Sequence, residues 1–401
     1  MSPIADENFQ KKMMKEVSRM QEYDVFIAGG AVAGPVAAKF CAKQGLKTLL
    51  VERAKIPREK PCSGIQFPYF EKIIGDRIPP DRLCNNVLSK VVMHLPHGQV
   101  IGSEFPMLSF MRINFDEWLC HLARDYGAEF RDECGFKSFE ESDGGILVHL
   151  ETGGNIETIK TKYIIDATGM RAVIRRQLRK EAGFQTGSTG ATLNYYFTAD
   201  GDLRPDTLYQ FWNVDFNDSM FAWVYNKTLS DGHDYWVVGT GYKEDIYLHL
   251  DKFFDHVKAL YHLRNVNIVK KEGYSASMVL QADQRIWLGE RTFLMAGDAA
   301  GLIDVTRGVG MDAAALSGRL AAKAITLAVK ENMSVIEIYS HLMKALVDQT
   351  RKNQHNGVAS CGTNDELQAY LFKGLGKMGL HLKLQEFLNR FRSPERQVML
   401  P

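Results

Sequence analysis

Gly29-Gly30-Ala31-Val32-Ala33-Gly34 lies between an apolar run, Val25-Phe26-Ile27-Ala28, and an Ala-rich segment that Gly45 ends. Glycines in such a turn let a backbone approach a pyrophosphate, and the start of the following helix favours its negative charge. A second apolar run, Thr48-Leu49-Leu50-Val51, then delivers Glu52 and Arg53. An acid about twenty residues past the glycines can accept hydrogen bonds from a ribose. The chemistry these residues permit is dinucleotide binding through Gly29, Gly30, Ala31, Gly34, Glu52 and Arg53, with Ala31 standing where the usual pattern has its second glycine. Cysteines 41, 62, 84, 120, 134 and 361 form no C-x-x-C pair and no zinc or iron–sulfur spacing. No metal site is expected, and thiols so scattered point to a reducing compartment rather than a disulfide framework. The histidines fall outside every motif, so no general base stands out.

A strand–turn–helix–strand unit must position the glycines and the acid, and the chain supplies one in that order. Both apolar runs suit parallel strands buried on two faces. Residues 87–110 alternate apolar and polar around Pro96-His97-Gly98, which predicts a hairpin. A helix is expected from Met111 to about Tyr126, then a strand from Ala128 and a meander over 135–160. Tyr163-Ile164-Ile165-Asp166 predicts another buried strand, closed by the turn Ala167-Thr168-Gly169 and followed by a basic helix with Arg171, Arg175 and Arg176. Between about 190 and 285 aromatics crowd, and three of the five tryptophans fall between 212 and 236. Alternation along 221–240 predicts an antiparallel sheet, one face packed as core and the other walling an apolar pocket that includes Trp223. The nucleotide fold resumes at Thr292–Gly301, and Gly308-Val309-Gly310 opens a long Ala-rich helix from Met311 to about Lys330. The remainder is helical in pattern, with a break near 355–363.

The 401 residues suggest about two to three domains. A net charge of +1 leaves no electrostatic footprint for nucleic acid. No apolar run reaches the roughly 18–20 residues that span a bilayer, and the N-terminus lacks the apolar core of a signal peptide. The expected location is the cytoplasm. Phe9, Met13, Val17 and Met20 recur at helical spacing among Lys11, Lys12, Lys15 and Arg19. Such a basic amphipathic helix packs on its own protein or touches an anionic membrane.

Four pieces now stand in order: the glycine turn with Glu52, Arg112 in Arg-x-x-Phe-Asp, Asp166-Ala-Thr-Gly169, and Gly297-Asp298. That order resembles the FAD-dependent group that includes p-hydroxybenzoate hydroxylase, flavin halogenases and geranylgeranyl reductases. Lys60-Pro61-Cys62-Ser63-Gly64 is similar to the K-P-C-G-G loop of the geranylgeranyl reductases. Gly297-Asp298-Ala299-Ala300-Gly301 with Gly308-x-Gly310 is similar to the family's second flavin motif. Of its Y-x-W-x-F-P signature, only Trp223 is kept in Phe221-Ala222-Trp223-Val224-Tyr225-Asn226. Asp304-Val305 replaces the Asn-Pro or Pro-Pro seen in reductases and hydroxylases, and the W-x-W-x-I-P of halogenases is missing.

The resemblance implies FAD, with Asp298 on its ribityl chain and Arg112 near its ribityl or phosphate region. Asp166 and Gly169 would belong to the same cofactor site. Gly308, Val309, Gly310 and Met311 would sit at the flavin edge, where the positive end of a helix meets charge developing on reduction. Cys62 would lie near the ring as proton donor or polar positioner, and Trp223 would wall the pocket. One glycine turn leaves no second dinucleotide fold, so a transiently bound NAD(P)H or a protein donor would supply electrons. The expected architecture is α/β (α+β): a Rossmann-like FAD domain of residues 23–186 and 286–332 with an inserted antiparallel sheet. That sheet would form a substrate domain of 187–285 with the hairpin 87–110, flanked by an N-terminal extension, 1–22, and a helical segment, 333–401. The expected reaction is hydride exchange between flavin and a carbon–carbon bond of an apolar substrate. The alternatives are a monooxygenase acting on an aromatic or amino-acid-derived substrate and a flavin-bearing electron-transfer partner.

Overall fold

The computed structural model describes residues 20–179, 189–218, 221–242, 244–277, 286–304, 310–354, 357–389 and 391. The expected N-terminal helix, apart from its last residues, and both Gly308 and Val309 lie outside them. Strands run β1 (Glu22–Ala28), β2 (Thr48–Val51), β3 (Ile65–Gln66), β4 (Lys90–His94), β5 (Val100–Glu104), β6 (Leu108–Ser109) and β7 (Glu129–Arg131). They continue with β8 (Cys134–Ser142), β9 (Gly145–Thr152), β10 (Asn155–Asp166), β11 (Thr189–Asp200) and β12 (Thr207–Phe211). The last are β13 (Ala222–Thr228), β14 (Asp234–Tyr242), β15 (Arg264–Ser277), β16 (Gly289–Glu290) and β17 (Phe293–Met295). Helices are α1 (Ala33–Lys43), α2 (Tyr69–Ile74), α3 (Arg112–Asp125), α4 (Val173–Leu178) and α5 (Ile246–Leu260). Three more close the chain: α6 (Met311–Glu331), α7 (Val335–Gln354) and α8 (Asn364–Asn389).

Val25–Ala28 and β2 are buried throughout, as expected of strands covered on both faces. They pair in parallel, and the parallel core runs β7-β2-β1-β10-β17, with β16 antiparallel at its edge. The β8–β9 meander hangs from the early part of β10, with turns at the glycine pairs that mark it in the sequence. Helix α6 crosses α1 so closely that a Cβ on Gly318 would stand 2.2 Å from the Ala33 carbonyl oxygen. The Tyr339 hydroxyl donates to the Met295 carbonyl at 2.9 Å, which fixes α7 against β17.

The second sheet has the order β15-β11-β14-β13-β12-β4-β5. The expected hairpin forms and joins this sheet, its β4 lying parallel to β12. One face is covered by α5, whose Leu250, Phe253, Phe254 and Val257 pack on Leu193, Tyr195, Phe197, Val224 and Val238. The antiparallel pairing expected along 221–240 forms as β13 and β14, and α5, just beyond it, is an element the sequence reading did not name. Its spacing of i, i+3, i+4, i+7 is a helix signal, hidden by the surrounding aromatic residues. The opposite face gathers Tyr196, Tyr225 and Val237 with Trp223, Leu208 and Ile65. Beyond α7 a short turn at Gly357–Ser360 makes the expected break. Leu367 and Leu371 of α8 then pack with Leu95 and Val358. The molecule is thus mixed α/β, with a Rossmann-like parallel sheet, a separate mainly antiparallel sheet and a helical C-terminal part. No described helix is long and apolar enough to cross a membrane.

Candidate cofactor and substrate site

Where β1 ends, Gly29 takes φ +115°, in the left-handed region that favours glycine. A Cβ there would stand 2.3 Å from the Ala167 carbonyl oxygen, and one on Gly34 would stand 1.9 Å from that of Gly29. Side chains at either position would force the turn apart. The Gly30 N–H donates to Glu52 Oε2 at 2.9 Å, and the Ala54 N–H donates to Oε1 at 3.0 Å. Glu52 is therefore fixed against the glycine turn and only 7% exposed. An ionised carboxylate offers about four acceptor positions, so these bonds and a 3.3 Å contact with Arg58 leave capacity for a hydroxyl. Ala31 is half-buried at the turn. Arg53 is exposed beyond Glu52, in an open cleft shared with Ala54, Gly135 and Glu151.

Asp166 ends the neighbouring strand and is fully buried. Its Oδ1 accepts from the Thr168 N–H at 3.0 Å and hydroxyl at 2.6 Å. Its Oδ2 accepts from the N–H groups of Ile174 and Arg175, both at 3.0 Å. Burial pushes the Asp166 carboxyl above its ordinary value even though these donors oppose the shift. With its acceptors engaged by its own chain, Asp166 holds the turn at Gly169 and the start of α4. The sequence pattern places this acid in the cofactor site, and its bonds show how it would shape that site from behind the turn. Gly169 takes φ +66°, and a Cβ there would meet nothing within 4 Å among the described residues.

Asp298 sits in a short turn, Gly297–Ala300, just past β17, and is partly exposed. It looks toward the start of α6, since a Cβ on Gly310 would lie 3.4 Å from its Oδ1. The Ser317 hydroxyl accepts from the Gly297 N–H at 2.9 Å and ties this turn to α6. Met311, the first residue of α6, brings its sulfur to 4.0 Å from Cys62 Sγ. The turn, the helix start and the Cys62 loop therefore meet in one place, although they are far apart in sequence.

Arg112 is 4% exposed and pairs with Asp116 through two bonds of 2.7 and 2.8 Å. Burial alone would lower its guanidinium, but Asp116 and then Cys62 hold it above its usual value. Arg58 reaches Asp116 at 3.5 Å and Glu52 at 3.3 Å. Alternating charges thus run from the dinucleotide acid, Glu52, through Arg58, Asp116 and Arg112 to the Cys62 loop. Burial and the nearby Arg112 push the Lys60 ammonium down, against the pull of Asp298 and Asp116.

Cys62 is a half-buried free thiol. Its loop is held to the second sheet by Lys227 of β13, a lysine only 1% exposed. The Lys227 ammonium donates to the Cys62 carbonyl at 3.3 Å and to the Ser63 carbonyl. Strand register sets Glu272, Asn194, Gly239, Trp223 and Gln210 side by side across the sheet. The Trp223 indole N–H donates to Asn194 Oδ1 at 2.8 Å, and Gly239 makes space for the pair. A Cβ at Gly239 would stand 2.1 Å from Asn194 Oδ1. The next row holds Lys270, Tyr196, Val237, Tyr225 and Leu208. The sequence reading names Cys62 and Trp223, and Asp116 as the acid of Arg-x-x-Phe-Asp, but misses Arg58, Asn194, Lys227 and Glu272. Only the Arg112–Asp116 spacing of four on a helix was available as a local signal.

The residues fit FAD. The glycine turn leaves no room for side chains, Glu52 is aimed at that turn with acceptor capacity to spare, and Asp298 faces the glycine that opens α6. A parallel dinucleotide-binding sheet joined to an antiparallel wall through such a set defines an FAD-dependent oxidoreductase. The chain belongs to the FAD-binding domain family, whose model matches residues 104–353. It is geranylgeranyl-reductase-like. It is 28% identical to digeranylgeranylglycerophospholipid reductase 2 of Methanothermobacter thermautotrophicus, over 76% of this chain and 79% of that protein. It is 26% identical to geranylgeranyl diphosphate reductase of Rhodobacter capsulatus, over 76% and 75%. Among solved structures, it is similar to a geranylgeranyl bacteriochlorophyll reductase-like protein of Thermoplasma acidophilum, with a TM-score of 0.75, 20% identity and coverage of 87% and 90%. A myxobacterial chondrochloren halogenase shares the fold at a TM-score of 0.66, with 15% identity and coverage of 88% and 90%.

Proposed function

We propose that this protein exchanges hydride with a carbon–carbon double bond of an apolar, isoprenoid-like substrate. The observation that carries the reading is the aromatic face of the second sheet, turned toward the Cys62 loop beside the FAD-binding residues. When bound, FAD supplies the hydride-carrying N5. The chain's own residues bind and orient: Glu52 takes the adenosine ribose, Asp298 the ribityl hydroxyls, and Arg112 lies near the ribityl or phosphate region. Gly310 and Met311 form the helix start that meets developing negative charge, and the motif assigns Gly308 and Val309, outside the described residues, to the same flavin edge. Gly29, Gly30, Ala31, Gly34, Arg53 and Gly169 frame the rest of the cofactor. Trp223 walls the substrate, and Cys62 donates a proton to the carbon beside the one that takes hydride.

The division into an FAD domain (23–186 and 286–332), a substrate domain (187–285 with 87–110), the extension 1–22 and the helical segment 333–401 belongs to this reading. So does a transient reductant, either NAD(P)H or an electron-donor protein. An apolar substrate also favours a cytoplasmic enzyme that touches a membrane surface through its basic N-terminal segment.

The test is anaerobic. The reduced holoprotein is mixed with geranylgeranyl diphosphate and the return of oxidised flavin is followed. Reoxidation by this alkene supports the reductase. If reoxidation needs oxygen and passes through a substrate-dependent oxygen adduct, the protein is a monooxygenase. If it needs another protein, the protein is an electron carrier. In the same assay Cys62→Ala keeps its FAD and slows alkene-dependent reoxidation by about a hundredfold, the lower range for a general acid. Unchanged kinetics would return Cys62 to an ordinary packing role.

A further inference from the structure

Behind Cys62 lies a set of titratable groups that the cofactor does not need. The Tyr196 hydroxyl donates to Glu272 Oε2 at 2.8 Å. Tyr196 and Tyr225 are each 1% exposed and pack together on the face that meets the Cys62 loop. The Glu272 side chain is 11% exposed, and Lys270 holds its Oε1 at 3.2 Å while also reaching Glu59 at 3.7 Å. Lys270 and Glu59 are 35% and 54% exposed, so this end of the set opens to water. The β11–β15 pairing slips between Tyr196 and Phe197, where Tyr196 pairs with Lys270 but Phe197 pairs with Ile268. The extra residue, Val269, lies on β15, and β11 keeps its alternation through Phe197. Here Tyr196 stands on the loop-facing side, while Tyr195 and Phe197 pack under α5.

We propose that Glu272 and Tyr196, with Tyr225, form a proton-supply line that recharges Cys62 from solvent. The inference rests on the alkene-reducing reading above. The substrate takes hydride at one carbon of its double bond. At the adjacent carbon a C–H bond forms as the Cys62 S–H bond breaks, leaving a thiolate. A tyrosine hydroxyl returns the proton to sulfur, and Glu272 passes one from water to the tyrosine. No net proton is lost by the protein, and the hydride comes from the reductant that loads FAD.

The neighbours suit this role. Burial first, then Tyr225 and Glu272, hold the Tyr196 hydroxyl protonated far above its usual range, so Tyr196 relays rather than stores charge. Burial does the same for Tyr225, with Cys62 and Glu272 adding to it. Facing this line are Lys270 and Glu59 on the solvent side. Lys227, Cys62, Cys84 and Arg112 face it from the loop, the sheet and α3. Glu272 and Tyr196 act through Cys62 and are positioning residues.

The experiment uses the holoprotein, pre-reduced under anaerobic conditions, with geranylgeranyl diphosphate as acceptor and ferricyanide as a control that needs no proton at carbon. Glu272→Gln and Tyr196→Phe are each expected to slow reoxidation by the alkene about tenfold or more. FAD content and ferricyanide reoxidation should stay at wild-type levels. In Glu272→Gln the solvent deuterium isotope effect of the alkene reaction should rise. The double variant should be no slower than the slower single one, because both residues serve one line. Alkene rates within twofold of wild type, or a matching loss of the ferricyanide rate, would overturn the supply line. A wild-type protein that the alkene does not reoxidise at all overturns the alkene-reducing reading itself, and the supply line with it.

Discussion

Asp298→Ala should purify folded and colourless. The side chain lies at the end of a short turn, partly exposed, where it faces Gly310 rather than packing into the core. Removing it leaves the backbone bonds of that turn in place, including the Gly301 N–H to the Asp298 carbonyl at 3.0 Å. On the proposed role, the substitution removes a charged acceptor for the ribityl hydroxyls, worth about 1.5–3 kcal/mol for a charged hydrogen bond. That corresponds to roughly a ten- to 150-fold weaker hold on FAD. Loss of the carboxylate also removes a charge that favours the Lys60 ammonium nearby. Flavin absorbance per chain after gel filtration reads the effect directly, with circular dichroism as the check on folding. Asp298→Asn, which keeps one acceptor oxygen, should retain more FAD than the Ala variant. An Ala variant that stays fully yellow would sink the role given to Asp298.

Arg112→Ala acts on stability before it acts on chemistry. Asp116 is completely buried, and its two oxygens rely on the Arg112 fork, with Arg58 as a longer second partner. Stripping one member from a buried ion pair costs about 3–5 kcal/mol because the other charge stays desolvated. Lysine is no substitute, since a single ammonium lacks the two-pronged geometry. Urea unfolding of the variant should show that loss, and Arg112→Ala combined with Asp116→Ala should recover part of it. A loss below about 1 kcal/mol would mean that water or Arg58 compensates, and the charge series from Glu52 to Cys62 would lose its structural importance.

Local patterns carried most of the parallel sheet. Val25–Ala28, Thr48–Val51 and Tyr163–Asp166 are short apolar runs bounded by turns, and each became a strand buried as its composition requires. The hairpin around Pro96-His97-Gly98 was equally legible, but its place beside β12 was not, because parallel pairing of distant strands leaves no local mark. Helix α5 is legible in its own spacing, but the aromatics crowded around it mask that signal. The motif marks Asp166, but its bonds to the Ile174 and Arg175 N–H groups, eight and nine residues on, are legible only once the chain has turned back. The second row of the wall was invisible for another reason. Glu272 meets Tyr196 across 76 positions of sequence, through a register that only the assembled sheet defines.

The same sheet has a consequence for how such proteins diversify. Alternate residues of β11, β13 and β14 serve two separate masters: Tyr195, Phe197, Val224 and Val238 anchor α5, while Asn194, Tyr196, Trp223 and Tyr225 face the loop. Period-two geometry keeps these sets independent, so the lining can be rewritten without loosening the frame. The FAD half need not change at all, because its glycines and acids lie on other strands. A lining that can change while the frame stays fixed is what such an alternation permits.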